Sequence, residues 1–409
     1  MCGRSGAVVI DAGRYRIARA GQPTLVTKIG TMPDKRLLPL RLARLRSQHL
    51  TDSSRLDADV AAVTRSVCVI QAQSFDAARH QIRVRSAGLT AAAVDRAFAE
   101  ERSVVRTWLM RGTWHLCALE DVRWLVSIFG PVINQLGAAR MRNLGLDPDT
   151  CARGVAVIRR ALAGGPLARR ELRTRLVSAG VLEEPVGQTM MHLIFHAAAL
   201  GVVCSGPRIG RDDSFVLLDD WVPKSTGPRG EAALAELARR YFSAYGPASA
   251  ADFAAWSHLK VGLIRDAMMA VGSELVEFPG PVRGLWTLGP MSADHEIGRP
   301  EVRLLGHFDT FLLGYKRREH HGGPDAENWI HDGGGGWIRP VVCVDGWFLG
   351  GWQMEQTARE IEVKVMPFDR IARSADPAIG REVASIGRFL ERPARWSRGP
   401  LVGFNPTPT

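Results

Sequence analysis

Lysine is scarce in this 409-residue chain: only Lys28, Lys35, Lys224, Lys260, Lys316 and Lys364 occur among 53 Lys-plus-Arg residues. Schiff-base chemistry therefore has few candidate nucleophiles, and the formal net charge of +11 rests almost entirely on arginine. Cysteine is equally sparse. Cys2, Cys68, Cys117, Cys151, Cys204 and Cys343 stand far apart with no C-x-x-C pair, which excludes the usual zinc and iron–sulfur spacings and reads as reduced, buried thiols in a cytoplasmic protein. Long apolar runs are also missing. No stretch approaches the roughly 18 residues of a membrane span, and "AVVI" is too short for a secretory core. No metal, cofactor or membrane partner is expected.

What is present is a basic chain with enough apolar material, 46%, to bury more than one core. A pI near 9.9 favours a polyanionic partner, nucleic acid before an anionic membrane surface. Guanidinium groups suit phosphate through their planar fork; the alternative for any single arginine is an ordinary solvated side chain.

Residues 1–36 show no sustained period and read as a disordered basic arm or an over-long start, with Met32 as a possible true start. From Leu37 the pattern is helical, and "VVRTWLM" and "TWHLCAL" follow as two strands around Arg111-Gly112. Three helices and a hairpin make the outline of a winged helix. It returns in "CARGVAVIRRALAGG", "PLARRELRTRLVSAG" and "VGQTMMHLIFHAAALG" with "VVCSG" and "SFVLLDD", then in the run from "GEAALAELARRYFSAYG" to "LVEFPGPVRGLWTLG". Beyond residue 296 the texture is β-rich, with Asp345-Gly346 as a hairpin turn, a closing helix in "PAIGREVASIGRFL", and a long aperiodic segment, 316–336. The expected divisions are 1–36, 37–130, 131–225, 226–295 and 296–409: an extension, three tandem winged-helix units that are mainly α with β wings, and a C-terminal β-rich part.

"VIQAQSFDAARHQ" places Gln71 and Gln73 where one helix runs out and Ser74 or Asp76 can cap the next. Residues two apart share a face only on extended backbone, so an extended junction is expected there. The third helix of the second unit carries Gln188, His192 and His196 but is otherwise apolar, so packing accounts for it better than base reading. His192 and His196 lack the Glu and third ligand of a zinc helix. "GGGG" at 333–336 lacks the strand and helix of a phosphate loop, and Trp108 and Trp114 flank the hairpin turn as core residues or stacking platforms.

"IQAQ", "VVRTWLMRGTWHL", "HLIFHAAALGVVCSGP", "YGPASAADFAAWSHL", "RLLGHFDTFLLGY" and "VCVDGWFLGGW" occur in the same order as blocks of the winged-helix DNA-binding proteins that include the AlkZ-like DNA glycosylases. The resemblance covers roughly residues 38 to 390. It implies three winged helices framing a concave basic surface for duplex DNA, and a catalytic Gln-x-Gln motif matched by Gln71 and Gln73. That form belongs to enzymes acting on bulky alkylated purines and interstrand crosslinks, often in self-protection against a DNA-alkylating natural product. Ser74-Phe75 stands where a more Pro-rich turn is usual. The resemblance also nominates Asp309 for electrostatic stabilisation, with capping as its alternative, and Lys316, Arg317, Arg318, His320 and His321 as a DNA-facing hairpin, with a solvated loop as the alternative. Arg106, Arg111 and His115 are read as phosphate contacts, or as braces bonding backbone carbonyls.

Two amides can position a water but cannot act as general bases near neutral pH. Alkylation at a purine ring nitrogen already makes the base a cationic leaving group, so so weak a pair suffices. With no lysine beside the glutamines, a monofunctional, monomeric glycosylase is expected, and Lys316 is the lysine to test. The rival is a non-enzymatic winged-helix regulator with a preferred DNA sequence and no base release.

Overall fold

The computed structural model describes residues 33–224, 227–293, 299–331, 334–368 and 370–401. The expected extension lies outside these residues up to position 32, and Asp34 then caps a 3-10 turn at Lys35–Leu37. The boundaries expected at 225/226 and near 295 also lie outside them. The boundary at 130 is corrected: it falls inside the 22-residue helix Val122–Asn143, so the chain passes from the first unit to the second through continuous helix.

The fold is mixed α/β. In the first unit, helices Leu38–Ser47, Val60–Ser66, Phe75–Arg85 and Ala91–Ala99 precede strands Val104–Leu109 and Thr113–Ala118. Ser74 accepts from the Ala77 N–H and Thr90 from the Ala93 N–H, so each cap satisfies an N–H that the helix cannot. The two strands pair antiparallel from Val104↔Ala118 to Leu109↔Thr113. Arg111 (φ 58) and Gly112 (φ 69) both take left-handed backbone to close the loop.

Helices Pro148–Leu162, Arg169–Ser178 and Thr189–Ala199 precede a second hairpin, Val203–Ile209 with Asp212–Leu217. Helices Gly230–Tyr245, Ala250–Ser257 and Val261–Val271 precede a third, Leu275–Glu277 with Trp286–Leu288. The C-terminal part is a five-stranded sheet in the order Ala394–Arg398, Ile361–Pro367, Trp347–Gln356, Val341–Val344, Val302–Leu305. Only its first pair is parallel. Helix Asp376–Phe389 buries Ile379, Val383 and Ile386 against Leu304, Val342, Val363 and Val365 of that sheet. The segment 316–336, expected to be aperiodic, holds a 3-10 turn at Arg318–His320 and a helix at Pro324–His331.

The cores cross these boundaries. One apolar cluster joins Leu45, Leu109 and Phe129 to Tyr241, Phe253, Trp256, Phe311 and Val341. Another joins Trp108 of the first hairpin to Leu193 and Phe215 of the second unit. Helix Thr189–Ala199 packs so tightly on its neighbours that a Cβ at Gly130 would stand 2.1 Å from the Ala199 carbonyl oxygen. Met190, Leu193, Ile194 and Ala197 are buried on it, and His196 bonds Asn134 at 2.9 Å.

Helix Phe75–Arg85 fastens the first unit to the C-terminal part through buried arginines. Arg83 pairs with Glu382 at 3.1 Å, and Arg85 pairs with Asp309 at 2.7 Å. Burial raises the Glu382 pKa, but the charges of Arg83, Arg303 and Arg55 outweigh it and bring it down to about 2. Ions this deep persist only when paired and hydrogen-bonded.

Candidate active site

The backbone is extended at Gln71. Ile70–Gln71 forms a short strand beside Thr113–Ala118, with Gln71 opposite His115, and Ala72 continues the pairing through its N–H to the Trp114 carbonyl at 2.7 Å. The strand ends at Gln71, and the chain bends at Gln73 before helix Phe75–Arg85. Gln71 is buried and Gln73 exposed, so the motif runs from the interior to the surface.

Four contacts hold it. The Arg111 Nη2 donates to Gln71 Oε1 at 3.0 Å. Gln81 Nε2 donates to the Gln71 carbonyl at 2.9 Å. Arg106 Nε donates to the Ala72 carbonyl at 3.0 Å, its guanidinium lying 4.4 Å over the Trp114 ring. The Trp114 N–H points at Gln73 Oε1 at 3.4 Å. Because guanidinium and backbone N–H groups only donate, both amide oxygens must face the hairpin. Each oxygen keeps one lone pair, and among the described residues neither amide NH2 donates to the protein.

The residues expected at phosphate are therefore placed differently. Arg106 and Arg111 bond backbone carbonyls of Ala72 and Trp256, the bracing alternative. Burial pushes both guanidinium groups down to about 10, which leaves them charged at neutral pH. His115 is only 1% exposed, which corrects its reading as a surface contact. Its Nδ1 meets the Thr113 carbonyl at 2.9 Å, and burial, with the Arg111 charge adding, holds its pKa at about 3.

Asp309 is fully buried. It takes both arms of Arg85, at 2.7 and 3.0 Å, and accepts the Phe311 N–H at 2.9 Å as cap of the turn Thr310–Leu313. With no exposed surface it cannot touch a sugar, so direct electrostatic stabilisation gives way to the capping alternative. It still reaches the motif indirectly, since the Thr310 N–H donates to Gln81 Oε1 at 3.2 Å.

Of the expected DNA-facing loop, Lys316 and Arg317 are exposed, and Arg317 pairs with Glu319 at 2.9 Å. Arg318 is half-buried and pairs with Glu327 at 2.9 Å, close enough to Arg111 for its charge to bear on that residue. His320 and His321 are buried, against their reading as DNA contacts. His321 accepts from Arg44 at 2.8 Å and lies between Tyr315 and Phe348. The glutamines, the first hairpin, the end of helix Ala250–Ser257 and the Arg318 segment thus surround one place. Among the described residues no His, Cys, Asp or Glu cluster fits a metal ion, and no helix is long and apolar enough to cross a membrane.

The family described as DNA glycosylase AlkZ-like matches residues 64–389. The chain belongs to the AlkZ-like DNA glycosylase family. A Streptomyces sahachiroi protein named interstrand DNA cross-link repair glycosylase is 28% identical over 355 residues, covering 84% of this chain and 94% of its own length. The solved structure of the S. sahachiroi DNA glycosylase AlkZ superposes with a TM-score of 0.73 at 26% identity, covering 90% of this chain and all of that one. In this AlkZ-like glycosylase, the Gln81 amide that bonds the Gln71 carbonyl had no signal in the sequence beyond a third amide on the helix after the two glutamines.

Proposed function

We propose that this chain hydrolyses the N-glycosidic bond of bulky or crosslinked alkylpurines in duplex DNA, as a monomeric and monofunctional glycosylase, with Gln71 and Gln73 placing the water. The observation that carries this reading is the clamped Gln-x-Gln segment, whose amide oxygens accept from Arg111 and from the Trp114 N–H. Two amides two residues apart can hold a water between a carbonyl lone pair and an NH2 donor. The water oxygen bonds C1′ as the C1′–N bond breaks. Its electron pair goes to the purine, cancelling the alkyl cation, and the water's proton leaves to solvent. No enzymic acid is required, which suits a motif whose strand partner His115 is buried and neutral.

The three helix-and-hairpin repeats support the further reading that tandem winged helices frame a concave, arginine-rich surface for the duplex, with Lys316 and Arg317 touching backbone phosphate. The name of the S. sahachiroi relative supports crosslinked purines as the lesion class. The test is incubation with duplexes carrying N7-methylguanine or an N7-guanine mustard crosslink. Free base and an alkali-labile abasic strand are expected. Salt-sensitive binding with no base release from any duplex would favour the regulator reading instead.

A further inference from the structure

We infer that Arg111 is a positioning residue that fixes which way the Gln71 amide faces, a role that rests on the reading of Gln71 as a water-placing group. A glutamine amide has a broad, roughly two-fold terminal torsion, so nothing intrinsic decides between its oxygen and its nitrogen. Arg111 decides it here. Its Nη2 donates to Gln71 Oε1 at 3.0 Å, and its Nη1 donates to the Trp256 carbonyl at 2.8 Å. A donor-only group beside the oxygen makes the flipped amide, with NH2 against guanidinium, repulsive. The Gln71 NH2 is thereby turned away from the hairpin.

The backbone is committed to this contact. Arg111 sits at φ 58 and ψ 5, a left-handed conformation that a non-glycine residue seldom adopts. The next residue, Gly112, has φ 69, and a Cβ there would lie 3.1 Å from the Phe195 ring. The loop tip is thus wedged between the second unit and the motif, and it aims Arg111 inward. Trp256 and His258, at the end of helix Ala250–Ser257, complete its surroundings with Tyr245 and Arg318. A guanidinium with both Nη atoms engaged by protein is poorly placed to grip a phosphate, the role expected of it from sequence.

The test is a double-mutant cycle on an N7-methylguanine duplex, read as the single-turnover excision rate and, separately, as DNA affinity over a range of salt. Arg111→Ala is expected to slow excision about 10- to 100-fold, the range for losing a hydrogen bond to a charged group, with affinity and its salt slope unchanged. Combined with Gln71→Ala it should add no further loss, because there is no amide left to orient. Methylguanidinium should restore part of the rate to Arg111→Ala and none to the double variant, which separates positioning from a folding defect. A multiplicative loss in the double variant, an unchanged rate in Arg111→Ala, or weaker binding with a shallower salt slope would overturn the inference while leaving Gln71 catalytic. Full excision by Gln71→Ala would sink the reading of Gln71 and this inference together.

Discussion

Replacing Asp309 distinguishes a structural carboxylate from a catalytic one. In the native protein both members of the Arg85–Asp309 pair are fully buried, with the closest approach 2.7 Å. Arg85 also donates to Gln48 at 3.0 Å and Thr310 at 2.7 Å. Asp309→Ala would strand a buried guanidinium, which costs about 3–5 kcal/mol, and would remove a cap of about 1 kcal/mol. Against a total of roughly 5–15 kcal/mol, that is a large fraction. The paired change Arg85→Met with Asp309→Leu removes both charges and should recover most of the loss, because a buried pair is often matched by apolar residues of similar volume. Urea unfolding followed by tryptophan fluorescence measures both. The reasoning fails if Asp309→Ala unfolds at native urea concentrations yet loses excision, for then the carboxylate serves the reaction rather than the fold.

Acid should destabilise the protein before its carboxylates titrate. His80 and His115 are buried with pKa values near 3, held down chiefly by burial, and His321 lies well below its ordinary value for the same reason. A depressed folded pKa means the unfolded chain binds more protons, so their contribution is complete above about pH 6.5 and erodes as pH falls toward 3. At pH 5.5 the cost is on the order of 1 kcal/mol for each of His80 and His115, and thermal melts that stay flat from pH 7.5 to 5.5 would contradict it. Removing Lys316 or Arg317 should lower the slope of log affinity against log salt by about 0.9 each, as measured by fluorescence anisotropy; an unchanged slope removes that residue from the DNA footprint. Borohydride should trap no covalent enzyme–DNA adduct, since hydrolysis by a water that two amides place needs no amine nucleophile; trapping that vanishes in Lys316→Ala would reveal a lyase.

The parts of the structure legible in the sequence are those set by neighbours along the chain. Ser74 and Thr90 announce their helices because a cap needs only the next three residues. Arg111-Gly112 and Asp345-Gly346 announce their turns because glycine tolerates positive φ. The helix Pro324–His331 carried readable signals as well, a proline at its start and Asp325 and Glu327 in its first turn, but the glycines around it masked them. Helix Val122–Asn143 was obscured by Pro131 in its interior. What could not be read is where arginines point. Arg85 meets Asp309 from 224 positions away and Arg111 meets Trp256 from 145, and periodicity gives no notice of partners so remote. The glutamines were visible as a spacing; the clamp that gives them orientation is a tertiary product.

The most direct test of the central claim is single-turnover base release by Gln71→Ala/Gln73→Ala, compared with the unaltered protein on the same N7-alkylguanine duplex at enzyme concentrations that saturate binding. Release slowed by about two orders of magnitude or more, with affinity retained, is the predicted result, since positioned groups contribute on this scale. Equal rates for the two proteins would contradict it.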